Sequence, residues 1–232
     1  MLYLVATPIG NLGDITLRAL EVLKSADVIA AEDTRHSSIL LRHYEIHKPL
    51  LSFHEHNEAM RTAELLRRLR DGACVAVITD AGMPGISDPG RRLLHACVEA
   101  ELPYSIIPGP SAVLTALVGS GFPAEAFHFA GFLPNKSGQR EREVTEAAAR
   151  GVTTIFFESP HRLVRTLAVF AEKFPERTLC VARELTKQFE EFRIGAGPEL
   201  VAHYSAHTPK GEITLLVCGL SRREQREANS DR

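Results

Sequence analysis

"LYLVATPIGNLGDITLRALEVL", residues 2–23, carries the first strand, turn and helix of the chain, and its reading decides the fold. Leu2, Tyr3, Leu4, Val5 and Ala6 form an apolar run of strand length. Leu17, Leu20 and Leu23 then keep one face of a helix, with Asp14 placed to cap it. The turn between them reads Ala6-Thr7-Pro8-Ile9-Gly10-Asn11. A dinucleotide-binding fold would show G-x-G-x-x-G here, leaving bare amides for a pyrophosphate. Proline removes a donor and fixes φ, so a pyrophosphate does not suit this turn, which is either the wall of a different ligand site or a tight connection that merely ends a strand.

Working outward, apolar runs of strand length recur at 28–31, 50–53, 74–78 and 104–107. Helical patterns lie between and after them at 39–44, 58–70, 89–100 and 111–118. Alternation of this kind predicts parallel pairing with helices on both faces of a sheet. The pattern resets at Gly119-Ser120-Gly121-Phe122-Pro123, so a boundary is expected there, with one α/β domain over 1–119 and a second over 120–220. The second domain is expected to hold strands at 127–132, 153–157, 178–181, 189–194 and 212–218. Its helices are expected at 140–150, 161–174 and 198–204. Residues 221–232 are charged and polar without apolar periodicity and are expected to form a frayed tail. No internal repeat or low-complexity segment is present.

The 232 residues are 44% hydrophobic and 24% charged, ordinary values for a globular protein. The net charge of −2 supplies no global positive field, so contact with nucleic acid has to come from local basic patches. Cys74, Cys97, Cys180 and Cys218 form no C-x-x-C pair and read as free thiols in a reducing compartment. No signal peptide is visible in the first residues, and no stretch approaches the ~20 apolar residues of a membrane span. A cytoplasmic protein is expected. Five histidines fall between His36 and His56, but His54-Glu55-His56-Asn57-Glu58 lacks the H-E-x-x-H spacing, so no metal is expected.

In open parallel sheets the ligand sits outside the carboxyl ends of the strands, and four such ends carry unusual turns. They are Ala6 to Asn11, Ala31-Glu32-Asp33-Thr34-Arg35-His36, the stretch from Thr79-Asp80-Ala81-Gly82 through Met83-Pro84-Gly85-Ile86-Ser87-Asp88-Pro89-Gly90, and Ile107-Pro108-Gly109-Pro110-Ser111-Ala112. Turns crowded with proline and glycine hold one backbone shape and bind with little ordering cost.

The stretches "LVATPIGNLGDIT", "AAEDTRHS", "TDAGMPGISDPG", "PGPSA", "FFESPHR" and "ARELTK" run in an order that resembles the ribosomal RNA small-subunit methyltransferase I family, within the tetrapyrrole-methylase-like superfamily. The likeness extends from Leu2 to about Cys218. It implies two α/β domains, the first with a mostly parallel and the second with a mixed sheet, and S-adenosylmethionine (SAM) in the cleft between them. It also implies a homodimer that methylates the ribose 2'-hydroxyl of a cytidine in the decoding region of small-subunit (16S) rRNA. On the same basis Thr7, Pro8, Ile9, Gly10, Asn11, Asp80, Ala81, Gly82, Pro108, Gly109, Pro110, Ser111 and Ala112 line the cofactor. Phe157 and Gly211-Glu212-Ile213-Thr214 close over its adenine. SAM has no pyrophosphate, and a stiff turn bearing Pro8 suits a ligand with a sulfonium cation.

Methyl transfer is an in-line displacement, and a ribose hydroxyl is a weak nucleophile that calls for a base or an orienting cation. Asp33, Arg35, Glu158, His161, Arg183, Glu184 and Lys187 are candidates, and none stands out as the base. An inter-domain salt bridge is the structural alternative for Glu158 and Arg183, and a solvated charge for Lys187. Lys136, Arg140, Arg142 and Arg162 are the expected phosphate contacts, against a solvated helix start balanced by Glu141 and Glu143. Two features depart from the family. Met83 stands where threonine is usual, a lost hydrogen bond of about 0.5–1.5 kcal/mol if that hydroxyl binds SAM. Many relatives also continue with a small helical segment where this sequence has the polar residues 221–232. C-methylation of a tetrapyrrole precursor, or binding of SAM or RNA without catalysis, are the competing functions. The first-turn chemistry and the 32–35 and 157–162 motifs favour RNA.

Overall fold

A computed structural model describes residues 1–220; the expected tail, 221–232, lies outside the described residues. The chain divides into two compact units, Met1–Ser111 and the residues from Ala112 onward. In the first, β1 (Leu2–Val5), β2 (Val28–Ala31), β3 (Leu50–Ser52), β4 (Val75–Ile78) and β5 (Tyr104–Ile107) form one sheet in the order β3-β2-β4-β1-β5. Every pair is parallel, as the strand–helix alternation predicts.

Strand alternation divides the core of this unit in two. Ile29, Ala31, Ala76, Ile78 and Ile107 face α1 (Leu17–Ser25) and α2 (Thr34–His43). Val28, Ala30, Val75, Val77, Leu2 and Leu4 face α3 (Glu58–Arg70) and α4 (Arg91–Glu99). The connections leaving β1 and β4, which are neighbours, therefore depart on opposite faces. That is a topological switch point, the place where open α/β sheets bind ligands.

The second unit begins with α5 (Ala112–Ser120) and holds β6 (Phe127–Phe132), α6 (Ser137–Ala149), β7 (Thr153–Glu158), α7 (Leu163–Lys173), β8 (Thr178–Arg183), β9 (Glu191–Ala196), α8 (Gly197–Ala206) and β10 (Ile213–Val217). The sheet order is β6-β7-β10-β8-β9, with β6 and β7 parallel and the other pairs antiparallel, so this sheet is mixed. Phe156, Leu179, Val181, Leu215 and Val217 face Val144, Leu167, Phe170 and Leu200 of α6, α7 and α8.

The division falls before α5 and not at the Gly/Pro-rich 119–123 stretch. The reason is packing, since α5 rests on β8, β9 and β10. The cysteines form no disulfide, and Cys97 and Cys180 are buried. Among the described residues no helix is long and apolar enough to cross a membrane.

Phe170 is 0% exposed at the centre of the second core, whereas Val118 on α5 is 78% exposed. Phe170→Ala is expected to cost about 3–5 kcal/mol of unfolding free energy, and Val118→Ala to stay within about 0.5 kcal/mol. Urea titration of the two variants checks both.

Candidate active site

Three of the four turns singled out by sequence interlock at the carboxyl edge of the first sheet. Thr7 and Gly82 form a two-bond antiparallel bridge, with Thr7 N donating to Gly82 O at 2.9 Å and Gly82 N to Thr7 O at 3.1 Å. The Thr7 hydroxyl adds a bond to the Thr79 carbonyl at 3.0 Å. Gly82 has φ +81°, a conformation that favours glycine. A Cβ there would lie 3.8 Å from Pro110 O, and one on Gly109 would meet the Ala6 Cβ at 2.9 Å. The turns after β1, β4 and β5 are thus held against one another. Thr7, Pro8 and Ile9 are buried and Gly10 is exposed. The Asn11 side chain accepts from Gly13 N at 3.0 Å and so caps the short 3-10 helix Leu12–Asp14.

Beside this floor stands a cluster of carboxylates. Asp80 N donates to Glu32 Oε2 at 3.4 Å, and Asp33 N to Asp80 Oδ1 at 3.2 Å. Burial pushes the Asp88 carboxyl up to about 7, and the charges of Glu32 and Asp80 push the same way. Glu32 is also raised, mainly by burial, with the Asp80 backbone hydrogen bond and the nearby His54 opposing. Thr79, 2% exposed, has a hydroxyl oxygen with no hydrogen-bond partner among the described residues.

Asp88 and Thr79 lay inside a turn that sequence picked out, and Glu32 inside another, yet none of the three was selected. An acid directly before Pro-Gly in such a turn was the available signal. Three carboxylates, a stiff backbone floor and a buried hydroxyl with no partner among the described residues fit a ligand that is cationic and polar, which suits the ammonium group of SAM. Among the described residues no group of three or more His, Cys, Asp or Glu is arranged to hold a metal.

Asp33 and Arg35 pair with each other. The Arg35 guanidinium donates to both Asp33 oxygens, at 3.3 and 3.1 Å, and Arg35 N donates at 2.8 Å, which caps α2. These bonds hold the Asp33 carboxyl down at about 2, so it is a poor proton acceptor near neutrality.

In the second unit Glu158, Arg183, Glu184 and Lys187 are held by local partners. Glu158, 3% exposed, pairs with Arg162 at 2.7 Å and accepts from Thr166 Oγ1 at 2.6 Å and Ser159 N at 2.7 Å. Arg162 also donates to Leu133 O at 3.0 Å and to Asn135 Oδ1. Arg183 pairs with Glu191 across β8 and β9 at 3.1 Å and donates to Lys210 O at 3.2 Å. The salt bridges expected of Glu158 and Arg183 therefore exist, but each lies inside one unit.

Lys187 Nζ spans Glu184 at 2.9 Å and Glu212 at 2.8 Å. Burial would lower the Lys187 ammonium, but the two carboxylates outweigh it and raise it. Burial would likewise raise Glu184, but Lys187 and the Glu212 amide leave it lowered. Gly211 packs directly on the Glu184 carboxylate. Ile213 and Thr214 are buried in β10, and Phe157 lies opposite Thr214, its ring 5.0 Å from Phe129 and 5.3 Å from Phe132. His161 is exposed.

The expected phosphate contacts separate. Arg140 is only 9% exposed and its guanidinium donates to Asn135 O at 3.2 Å, so it props the 133–136 loop from behind. Arg142 pairs with Glu146 on the surface of α6. Lys136 is exposed at the N-terminus of that helix.

Comparison with known proteins agrees with this geometry. The sequence pattern of the Tetrapyrrole (Corrin/Porphyrin) Methylases matches residues 1–201. The ribosomal RNA small subunit methyltransferase I of Synechocystis sp. is 48% identical over 94% of this chain and 79% of its own length. The Thermotoga maritima protein of the same name is 45% identical over 94% of this chain and 98% of its own length. Two solved structures share the fold. A diphthine synthase superposes with a TM-score of 0.76 at 13% identity, covering 99% of this chain and 94% of its own. The uroporphyrin-III-C-methyltransferase of Thermus thermophilus superposes with a TM-score of 0.66 at 23% identity, covering 99% and 97%. The chain belongs to the tetrapyrrole methylase family of SAM-dependent methyltransferases, in the group of the ribosomal RNA small subunit methyltransferase I proteins.

Proposed function

We propose that this protein transfers the methyl group of SAM to the ribose 2'-hydroxyl of a cytidine in the decoding region of small-subunit rRNA, acting in the cytoplasm as a homodimer. The observation that carries the reading is the interlocked rim of the first sheet, found in a chain whose relatives at 45–48% identity are named for rRNA methylation. Thr7 to Asn11, Asp80 to Gly82 and Pro108 to Ala112 hold the cofactor, and Phe157 with Gly211 to Thr214 covers its adenine. Lys136 and Arg142 meet phosphates, while Arg140 and Arg162 shape the loop that presents Lys136.

Small ribosomal subunits from a strain lacking the activity, supplied with methyl-labelled SAM, test the function. Label in a nuclease-resistant, 2'-O-methylated dinucleotide is expected. Label in a uroporphyrinogen-like acceptor, or SAM binding without turnover, overturns the proposal. The tetrapyrrole alternative has only the fold-level likeness to the Thermus enzyme behind it.

Two substitutions probe the site. Gly109→Ala forces the turn after β5 away from Ala6 and is expected to weaken SAM binding at least about tenfold, or 1.4 kcal/mol, in calorimetry. Gly138→Ala has open space around the new methyl and is expected to leave binding unchanged. Lys136→Ala is expected to weaken binding of small subunits and lower the salt slope of that binding by about one. Its SAM affinity should not change.

A further inference from the structure

β6 is an edge strand of the second sheet, and its pairing with β7 slips by one residue. Phe127 lies opposite Thr153 and Phe129 opposite Ile155, but Phe132 lies opposite Phe157, so β6 takes three steps where β7 takes two. The extra residue makes a bulge, and Gly131, at φ +71°, supplies the left-handed backbone there. In a regular register Phe132 would turn toward α6 and α7, the side on which Leu133 and Phe156 are buried. The slip sends it to the other face, in line with Phe127, Phe129 and Phe157.

The result is an aromatic edge. The Phe157 ring is inclined at 66° to Phe129 and 59° to Phe132, so both neighbours lean on it. Phe132 is nevertheless 60% exposed and Phe127 40% exposed, while α5 rests on β8, β9 and β10, away from β6.

The segment that follows is pinned from both sides. Leu133 N donates to Phe157 O at 3.3 Å, and Leu133 O accepts from the Arg162 guanidinium at 3.0 Å. Asn135 Oδ1 accepts from the same guanidinium, and Asn135 O from Arg140 at 3.2 Å. The Glu158 carboxylate that holds Arg162 is buried and paired. The exposed charge that directly follows this pinned segment is the positive one of Lys136. A ring and a cation four residues apart are thus presented together, with little left to order on binding.

Resting on the function proposed above, we propose that Phe132 is a stacking platform for an unpaired base of the substrate RNA, with Lys136 on the neighbouring phosphate. A base is apolar on its flat faces and tied to an anion, the two features that an exposed ring and an adjacent lysine recognise. A base inside a duplex has both faces covered by its own neighbours, so the nucleotide held here is unstacked. A second copy of this chain is the other occupant an exposed apolar edge invites, but it gains nothing from the cation beside the ring. Phe157, on which Phe132 leans, is the ring proposed to cover the cofactor's adenine, so base and cofactor meet one aromatic cluster.

Phe132→Ala, Phe132→Leu and Phe132→Tyr test the assignment by filter binding of small subunits from a strain lacking the activity. Alanine and leucine are expected to weaken binding about five- to 150-fold, the range of one lost base–aromatic stack. Tyrosine keeps the ring and should bind as wild type. The salt slope should stay the same in all three, because a stack releases no counterions. A displaced 133–136 loop would carry Lys136 with it and lower that slope. SAM affinity by calorimetry, the sedimentation rate and the urea midpoint should also keep their wild-type values.

A Phe132→Ala or Phe132→Leu protein that binds subunits as tightly as wild type overturns the stacking site and leaves the methyl-transfer reading standing. So does a fall in salt slope. Lost SAM affinity would make the ring part of the cofactor's cover, and altered sedimentation would make it a contact between copies; either overturns the site. A wild-type protein that neither binds nor methylates small subunits overturns the functional reading and this site with it.

Discussion

The bridge between Thr7 and Gly82 answers a geometric difficulty that parallel sheets create for themselves. β1 and β4 are neighbours, but their connections leave on opposite faces, so the backbone beyond the two strand ends diverges. An opening there attracts water unless something closes its floor. Two reciprocal backbone bonds do so, and the Thr7 hydroxyl bonded to the Thr79 carbonyl ties the closure to the end of β4. The arrangement demands a positive φ at residue 82 and a residue without Cβ where the β5 turn meets Ala6. Pro8, Pro84, Pro108 and Pro110 stiffen the same turns by fixing φ. Rigidity of this kind lowers the entropy lost when a ligand binds.

Charge separates the two units more sharply than fold does. In the second, acids and bases that resemble catalytic groups are consumed in local pairs: Glu158 with Arg162, Arg183 with Glu191, and Lys187 with Glu184 and Glu212. A buried carboxylate must be paired and hydrogen-bonded, and Glu158 satisfies that rule with three donors. In the first unit, Glu32 and Asp88 are perturbed chiefly by burial and by other acids. Burial of like charges is unfavourable for the protein alone, and it persists where a ligand or a reaction uses it.

Much of this was legible in the sequence. The strand ends, the parallel sheet and the four rim turns follow from period-two runs broken by proline and glycine, which are local signals. The position of α5 was not, because its apolar sequence, AVLTALV, says that the helix is buried and not against which sheet. The antiparallel placement of β10 between β7 and β8 is likewise a property of tertiary pairing. The fate of Glu158 was half visible, since its partner Arg162 stands at helical spacing in ESPHR. Arg140 reads as a phosphate contact because nothing local shows that the 133–136 loop folds over it. Asp88 carries no local mark of its shift, because one of the acids acting on it, Glu32, follows a different strand.

Where negative charge sits relative to the sulfur decides whether it helps. As the methyl leaves, the sulfonium loses its positive charge, so a carboxylate against the sulfur would stabilise the starting state more than the transition state and slow the step. A carboxylate against the cofactor's ammonium group affects both states equally and contributes binding alone. Only an acid facing the nucleophile gains during the reaction, because positive charge appears there as the proton is released. Burial and the charges of Glu32 and Asp80 raise the Asp88 carboxyl to about 7. Asp80 and Asp88 lie towards the two ends of the turn after β4, with Gly82-Met83-Pro84-Gly85 between them in sequence, and the charge of Asp80 still reaches Asp88.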